Sequence, residues 1–212
     1  MWTIVVAAGA GSRFGQLKQY EQLGDKRVLD WALEAARTVS EGVVLVVPPD
    51  VVGRREAGVD AIVPGAATRS GSVRAGLAAV PPECEVVVVH DAARPLAPIH
   101  LFEAVVDAVR AGADAALPGV PPSSTIKRVH GDGRVAETLD RSALVEVQTP
   151  QAFRAGALRA AHAEGAEATD DAALVEAAGG SVVVVEGDPG NVKVTHPHDL
   201  EVVRAIVAGQ HA

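Results

Sequence analysis

Short, valine-rich apolar runs recur along the 212-residue chain. They occupy residues 2–8, 42–47, 85–90 and 181–186. Each run is too short for a helix of ordinary length, and too continuously apolar for a strand that turns one face to water. The pattern therefore predicts strands that are buried on both faces.

Segments with helical spacing of apolar residues separate these runs. Within residues 28–39, apolar side chains recur at intervals of three and four, at Leu29, Ala32, Leu33 and Ala36. Similar segments cover residues 69–80, 99–111 and 170–178. Strands that alternate with helices predict an α/β fold, a doubly wound and mostly parallel sheet sandwich. In such sheets ligands bind beyond the carboxyl ends of the strands, so the chemistry is expected there.

Residues 121–149 interrupt this alternation. They are polar and compatible with β-structure, and residues 130–133 have the composition of a hairpin tip. A hairpin with so little apolar content is marginal alone and is stabilised most easily by packing on a partner. We therefore expect one catalytic domain over residues 1–212, in which residues 121–149 form a projecting β-arm that mediates a homodimer.

Composition and charge narrow the classes of function. The net charge of −8 and the absence of a Lys/Arg run argue against binding to nucleic acid. Cys84 is the single cysteine, so no internal disulfide can form and a reducing cytoplasm is the predicted location. No basic leader precedes the first apolar run, and no apolar stretch approaches the ~20 residues of a membrane helix. Neither export nor membrane insertion is predicted.

The first predicted strand runs into a glycine-rich loop, Ala7-Ala8-Gly9-Ala10-Gly11-Ser12-Arg13. Glycines permit close backbone approach, and exposed N–H groups can hold phosphate oxygens. Arg13 and the following Lys18 add two cations suited to neutralising charge in phosphoryl or nucleotidyl transfer. A dinucleotide fingerprint would need glycine at Phe14, and a P-loop would need Gly-Lys-Ser/Thr. A phosphate-binding loop of another kind is predicted.

Polar residues also follow two later strands. After the third run, Asp91 is suited to orienting substrate hydroxyls or assisting a phosphate-bound metal, and Arg94 to binding a phosphate through its planar guanidinium. His90 is predicted to pack at the strand end rather than act as a base. Lys193 follows the last run, where an inward lysine would be costly unless it met an anion. Thr169 is predicted either to cap the next helix or to contact substrate.

Together these segments resemble 2-C-methyl-D-erythritol 4-phosphate cytidylyltransferases, enzymes of the non-mevalonate isoprenoid pathway, across nearly the whole chain. The resemblance lies in a series of motifs in one order: Ala7-Ala8-Gly9-x-Gly11-x-Arg13 with Lys18-Gln19-Tyr20, Arg69-x-x-Ser72-Val73-x-x-Gly76-Leu77, Val89-His90-Asp91-Ala92-Ala93-Arg94-Pro95, Thr125-Ile126-Lys127, Gln148-Thr149-Pro150-Gln151-x-Phe153, Thr169-Asp170-Asp171-Ala172 and Asn191-x-Lys193-Val194-Thr195. It implies an αβα fold like that of nucleotide-diphospho-sugar transferases. It also implies transfer of CMP from CTP to a polyol phosphate, 2-C-methyl-D-erythritol 4-phosphate, with release of pyrophosphate.

The resemblance further implies a role for each matching position. Arg13 and Lys18 would stabilise the transition state, and Lys193 and Arg141 would complete the catalytic set. The CTP site would be lined by Ala7, Ala8, Gly9, Gly11, Gly65, Ser72 and Ala92. The acceptor would meet Asp91, Arg94, Thr169 and Lys193, with Thr125 and Arg141 reaching in from the neighbouring subunit. Mg²⁺ would be bound mainly through the CTP phosphates, without a dedicated set of protein ligands.

Other functions fit parts of the pattern. A ribitol-5-phosphate cytidylyltransferase would share the phosphate loop and much of the cleft. A dinucleotide-dependent oxidoreductase is disfavoured by Phe14 and by Pro48-Pro49, which stand where its fingerprint needs a glycine and an acidic residue. A non-catalytic nucleotide-binding module would bind CTP without releasing pyrophosphate.

Overall fold

An eight-stranded β-sheet forms the centre of the computed structural model, which describes residues 1–9, 11, 14–163 and 165–209. The strands are β1 (Trp2–Val6), β2 (Gln22–Leu23), β3 (Lys26–Arg27), β4 (Gly42–Val47), β5 (Ala61–Pro64), β6 (Val86–Asp91), β7 (Ala115–Val120), β8 (Lys127–Val129), β9 (Val135–Thr138), β10 (Glu146–Val147), β11 (Gln151–Arg154) and β12 (Val182–Glu186). The helices are α1 (Val28–Val39), α2 (Arg69–Ala78), α3 (Ile99–Arg110), α4 (Ala155–His162), α5 (Asp171–Ala177) and α6 (Pro197–Gly209). None of the helices in this described part of the chain combines the length and apolar character needed to cross a membrane.

The order of strands reverses at β1. This strand pairs in parallel with β4 on one side and with β6 on the other. β11 runs antiparallel between β6 and β7, and β12 pairs in parallel with β7. The predicted doubly wound, mostly parallel sheet is confirmed. From β1 the chain continues to β4 on one side of the sheet, and from β6 it continues to β7 on the other side. In α/β sheets such a reversal leaves a crevice at the carboxyl ends of the two strands, where ligands bind.

Helices cover both faces of the sheet. On one face Ile4 of β1 shares a buried cluster with residues of α2, α4 and α5. On the other face its neighbour Val5 is buried with residues of α1, and Phe102 of α3 is buried beside β6. Successive side chains of a strand point to opposite faces, so a strand covered on both sides must be continuously apolar. Three of the four valine-rich runs, those of β1, β4 and β6, have this origin.

One of those runs is not buried as its sequence predicts. Residues 181–186 predict a strand covered on both faces, but β12 lies at the edge of the sheet and Val184 is 53% exposed. An apolar run indicates extended structure equally well at an edge and at the centre. The sequence of β12 alone therefore could not give its position in the sheet.

The predicted β-arm is a hairpin outside the central sheet. β8 and β9 pair antiparallel, and at the tip the N–H of Gly133 donates to the carbonyl of His130 at 2.9 Å. Gly133 has a φ of 83°, a region that favours glycine. Val129 and Val135 on the paired strands are 57% and 58% exposed. The hairpin is confirmed, and its packing on a second subunit stays a prediction.

A glycine lets α2 approach the sheet closely. A Cβ atom at Gly76 would lie 2.6 Å from Cγ2 of Ile4 and 3.0 Å from Cγ2 of Val46. We expect Gly76→Ala to lower the free energy of unfolding by about 1–3 kcal/mol, the usual cost of overpacking a dense core. Gly156 of α4 is the matched control, since a Cβ there would meet nothing within 4 Å. Urea denaturation of both variants measures the difference, and equal effects would contradict the packing argument.

Candidate active site

A cavity of about 440 Å³ opens where β1 and β6 end. The residues just after both strands are fixed by bonds that continue the sheet. The N–H of Ala7 donates to the carbonyl of Val46 at 2.8 Å, and that of Ala92 to the carbonyl of Val6 at 3.0 Å. Five of the residues predicted to bind CTP line this cavity: Ala7, Ala8, Gly9, Ser72 and Ala92.

Gly65 packs behind two residues of the cavity wall, Ala8 and Ser72. Its N–H donates to the carbonyl of Val47 at 2.8 Å. A Cβ atom at this position would fall 2.2 Å from Cβ of Ala8 and 3.0 Å from Oγ of Ser72. Glycine is therefore required for Ala8 and Ser72 to come together, although Gly65 itself does not line the cavity.

The glycine-rich loop is described only in part. Gly11 has a φ of 66°, and a Cβ atom there would lie 1.9 Å from the carbonyl oxygen of Gln16. This close approach requires glycine, but Gly11 is not on the cavity wall. Arg13, which the sequence predicts as a catalytic residue, lies outside the described residues. Its role stays a prediction.

Lys18 reaches the same cavity from a short 3₁₀ helix, Lys18–Tyr20. The next residue, Gln19, is buried and donates from Nε2 to the carbonyl of Ala7 at 2.8 Å. This bond ties the helix to the loop after β1. The ammonium of Lys18 donates to the carbonyl of Val194 at 2.5 Å. Lys18 is thus held beside the loop that follows β1 and contacts the segment that follows β12.

Lys193 enters from that segment. The N–H of Val194 donates to the carbonyl of Ala93 at 2.8 Å, which fixes the segment to the loop after β6. Nζ of Lys193 lies 2.6 Å from Oδ2 of Asp91. Lys18 and Lys193 therefore line one cavity, although 175 positions separate them in the numbering, from 18 to 193.

A second cavity of about 300 Å³ adjoins the first. It contains four residues predicted to meet the acceptor: Asp91, Arg94, Thr169 and Lys193. Asp91 and Lys193 also line the first cavity, as does Arg69. The two cavities consequently share a wall of charged side chains.

Asp91 is the acidic residue of this shared wall. Its Oδ2 meets Lys193, and its Oδ1 lies 3.3 Å from Nη2 of Arg69. Burial by itself would raise the pKa of Asp91, but the charges of Arg69 and Lys193 outweigh it and hold the pKa well below its usual range. The carboxylate is therefore ionised at neutral pH and can accept hydrogen bonds from hydroxyl groups.

Arg94 is a buried cation of the second cavity. Nη1 donates to the carbonyl of Asn191 at 2.6 Å and Nη2 to the carbonyl of Val147 at 3.3 Å. Among the described residues, Nε has no hydrogen-bond partner and no carboxylate lies within 4 Å of the guanidinium. Burial lowers the pKa of Arg94, and the nearby charge of Asp91 only partly offsets this. A buried cation with so little compensation favours an anionic ligand.

His90 supports the turn that carries Asp91 and Arg94. Its Nε2 lies 3.2 Å from the carbonyl of Arg94, which can only accept, so this nitrogen carries the proton. Nδ1 then accepts from the hydroxyl of Thr149 at 3.1 Å, and the same hydroxyl oxygen accepts from the N–H of Asp91 at 3.0 Å. His90 is completely buried. The structure agrees with a packed histidine rather than an exposed base.

The burial of His90 should make stability depend on pH. Desolvation lowers its pKa from 6.5 to about 4, so the unfolded chain takes up a proton before the folded one does. We expect this histidine's contribution to be complete above pH 6.5 and to decline by about 3 kcal/mol as the pH falls to about 4. His90→Gln keeps one donor and one acceptor but cannot titrate. Denaturation from pH 7 to 4 should show a flatter profile for the variant, and parallel profiles would refute the assignment.

The segment before α5 differs from its predicted roles. Thr169 lines the second cavity, but the helix cap is Asp170, whose Oδ1 accepts from the N–H of Ala173 at 3.0 Å. The interpretation of Thr169 as the cap is therefore wrong by one residue. Asp171 is fully buried and lies 2.7 Å from Nη1 of Arg69. Asp171 therefore pairs with Arg69 inside the protein, whereas the sequence predicted only that it would complement the dipole at the helix N-terminus.

The two β-arm residues that were predicted to contact the acceptor do not reach either cavity of their own chain. Thr125 and Arg141 are exposed, and neither lines either cavity. Nη1 of Arg141 donates to the carbonyl of Ser123 at 2.9 Å, inside the arm itself. Their delivery from a neighbouring subunit stays a prediction.

Comparison with known proteins identifies the family. The model of the family IspD, 2-C-methyl-D-erythritol 4-phosphate cytidylyltransferase, matches residues 1–209. The chain belongs to the 2-C-methyl-D-erythritol 4-phosphate cytidylyltransferase family. The family predicted from the motifs is confirmed, and its members are nucleotidyltransferases.

Curated relatives include separate and fused members of this cytidylyltransferase family. The chain is 43% identical over 227 residues to the 2-C-methyl-D-erythritol 4-phosphate cytidylyltransferase of Streptomyces coelicolor, covering 97% of this chain and 84% of that protein. It is 45% identical over 220 residues to the bifunctional enzyme IspD/IspF of Clavibacter michiganensis, covering 97% of this chain and 54% of that enzyme. The chain therefore spans about half the length of the bifunctional relatives.

Solved structures of cytidylyltransferases share the fold. The Thermus thermophilus enzyme superposes with a TM-score of 0.83 at 35% identity, covering 97% of this chain and 98% of that one. The 4-diphosphocytidyl-2C-methyl-D-erythritol synthase of Anaerococcus prevotii superposes with a TM-score of 0.84 at 28% identity, covering 98% and 97%. The nucleotidyltransferase-type fold expected from the resemblance is confirmed.

The sequence alone assigned no role to Arg69. It is the first residue of α2, where a basic side chain faces the positive end of the helix dipole. An arginine at such a position calls for a compensating anion, and that signal was available in the sequence. The structure supplies Asp91 and Asp171 as the anions.

Proposed function

We propose that this chain transfers CMP from CTP to 2-C-methyl-D-erythritol 4-phosphate, forming 4-diphosphocytidyl-2-C-methyl-D-erythritol and pyrophosphate in isoprenoid precursor biosynthesis. The observation that carries the proposal is the pair of adjoining cavities with a shared charged wall. Two phosphorylated reactants bound in such cavities would meet at that wall. Membership of the family supplies the identity of the two reactants.

The reaction needs positioning more than proton transfer. The second pKa of a phosphate monoester lies near ~6, so the acceptor is already mostly a dianion at neutral pH. One of its oxygens attacks the α-phosphorus of CTP. The bond from that phosphorus to the bridging oxygen of the β-phosphate breaks, and pyrophosphate leaves with the electron pair. Holding the reactants in line and neutralising the shifting charge provide the catalysis.

The described residues divide this work between the cavities. Arg94, a buried cation that no described carboxylate pairs with, is suited to the phosphate of the acceptor. Asp91 is suited to the acceptor's hydroxyl groups, because it is ionised and lines both cavities. Lys18, together with Arg13, is assigned to the charge that develops on the departing pyrophosphate.

Magnesium is proposed to bind mainly through the phosphates of CTP. Asp91 is the acidic side chain of the shared wall, and its oxygens already lie 3.3 Å from Arg69 and 2.6 Å from Lys193. It would assist an ion that arrives on the nucleotide only by exchanging one of these partners. When bound, the ion would neutralise phosphate charge.

We further propose a homodimer in which the β-arm brings Thr125 and Arg141 to the partner's acceptor cavity. Support comes from the exposed valines of the arm and from the absence of both residues from the walls of the two cavities of their own chain. Mixing Lys18→Ala chains with Arg141→Ala chains tests this. If the arm crosses the interface, each mixed dimer regains one intact site. If it does not, every site keeps one defect and no activity returns. A cytoplasmic location is proposed from the single cysteine, Cys84.

The activity is tested by pyrophosphate release from CTP, Mg²⁺ and 2-C-methyl-D-erythritol 4-phosphate, with each omitted in turn. Release that requires all three is the expected result. Ribitol 5-phosphate is assayed in parallel, and faster turnover of it would make the assigned acceptor wrong while leaving the chemistry. Binding of CTP without release under any condition would indicate a nucleotide-binding module instead.

A further inference from the structure

A series of contacting polar side chains runs from the shared wall into the buried interior of the protein. Lys193 contacts Asp91, Asp91 contacts Arg69, Arg69 contacts Asp171, and Asp171 contacts His162. The first three members line both cavities, whereas Asp171 and His162 line neither. Within this series, the two inner residues would reach the reactants through Arg69.

The inner end of this series is fixed. Asp171 is 0% exposed, and its two oxygens have different partners. Oδ2 lies 2.7 Å from Nη1 of Arg69, and Oδ1 lies 3.0 Å from Nε2 of His162. His162 is itself buried, at 4% exposure. A carboxyl group so far from water is costly to bury unless such hydrogen-bond partners remain in place, so this end has little freedom to move.

The outer end is looser. The guanidinium of Arg69 faces Asp91 with Nε at 3.4 Å and Nη2 at 3.3 Å from Oδ1. These distances are longer than the 2.7 Å contact of Nη1 with Asp171. Because the guanidinium is planar and rigid, fixing Nη1 also sets the direction of Nε and Nη2. The position of Asp171 therefore determines where Arg69 presents its remaining N–H groups to Asp91.

We propose that Arg69 is a positioning residue that, held by Asp171 and His162, sets the orientation of the Asp91 carboxylate between the two cavities. This rests on the proposed function, because it assumes that Asp91 meets the acceptor. Oδ1 of Asp91 is directed by Arg69, which leaves Oδ2 to Lys193 and to the acceptor hydroxyls. Without that restraint the carboxylate would rotate, and the acceptor would lie poorly for in-line attack.

The variants separate this role from a merely structural one. Arg69→Lys keeps the charge but lacks the planar fork, and Asp171→Asn keeps the shape but removes the charge that fixes Arg69. The matched control is Arg74→Lys on the same helix. Arg74 is paired with Glu167 at 2.7 Å and its side chain is 28% exposed, against 26% for Arg69, but it lines neither cavity.

We expect Arg69→Lys and Asp171→Asn to lower kcat/KM for the acceptor by about 10²-fold, the usual effect of a small misplacement of a reactant. Arg74→Lys should behave as the parent chain. The decisive measurement is a double-mutant cycle with Asp91→Asn. If Arg69 acts through Asp91, Arg69→Lys should add almost nothing once Asp91 has been replaced.

The same cycle is measured on binding of 2-C-methyl-D-erythritol 4-phosphate in the presence of CTP without Mg²⁺, by calorimetry. If the parent chain binds the acceptor but makes no product, the proposed function fails, while the binding cycle still decides the role of Arg69. Absence of acceptor binding by the parent chain would overturn both. Should one variant fail to fold, as thermal denaturation will show, the other is carried through the cycle alone. Additive losses in the cycle, or parent-like values for Arg69→Lys, would overturn the proposal.

Discussion

Lys193→Ala should lower kcat/KM for the acceptor by about 10²- to 10³-fold, as removal of one donor that stabilises transition-state charge does in other enzymes. The lysine lies at the shared wall, 2.6 Å from Asp91. Without it, the negative charge of the acceptor phosphate and of Asp91 would meet with one cation fewer between them. Asp91 would keep Arg69 as a partner, so the fold should persist. Steady-state kinetics with both substrates measure the loss.

Lys26→Ala is the matched control for this prediction. Lys26 pairs with Glu34 at 2.5 Å and its side chain is 36% exposed, against 40% for Lys193. It lines neither of the two cavities of the site. The two substitutions thus remove similar lysine–carboxylate pairs in different places. Comparable losses of activity in both variants would show that the effect is general, and the role of Lys193 would be lost.

Lys18→Ala should lower kcat by about 10²- to 10³-fold while changing the affinity for CTP much less. The reason is that charge develops on the departing pyrophosphate only as the reaction proceeds, so the lysine contributes more to the transition state than to the ground state. Single-turnover kinetics give the chemical step, and calorimetric titration with CTP gives the affinity.

Lys18→Arg is the companion variant, because it keeps the positive charge and should recover part of the rate. A different result would reassign the residue. If Lys18→Ala weakened CTP binding and lowered kcat/KM by the same factor, with kcat at saturation unchanged, Lys18 would contribute uniform binding only. In that case transition-state stabilisation would have to come from other residues.

Much of the fold could be predicted from apolar spacing. The prediction for residues 42–47 matches β4, and that for residues 28–39 matches α1. Both elements pack against the core, so the spacing of their apolar residues follows from which side chains are buried. Apolar spacing is a weaker guide where alanine dominates, because alanine is compatible with both core and surface. For this reason α4 was not predicted. β11 was also missed, since its position between β6 and β7 depends on pairing rather than on its own composition.

The candidate site shows the same division. Residues at the carboxyl ends of strands and in the segments that follow them could be predicted, since parallel strands direct these ends to one edge. Asp91, the last residue of β6, and Lys193, in the segment after β12, meet there. The side chains that these residues pack against could not be predicted from the sequence. The sequence gives no indication that Asp171 is buried against Arg69, because an acid in the first turn of a helix is common on surfaces as well. Gly65 similarly matters because its missing side chain leaves space for Ala8 and Ser72, and no local sequence pattern shows this.

The common wall of the two cavities has a thermodynamic consequence. In the proposed reaction, Arg69, Asp91 and Lys193 would contact whichever reactant binds first, so the second reactant would meet side chains that the first has already moved or neutralised. Linkage requires that the factor by which CTP changes affinity for the acceptor equal the factor by which the acceptor changes affinity for CTP. Under the proposed function we therefore expect an energetic coupling between the two substrates that depends on these three side chains, and equilibrium titrations in both orders would measure it.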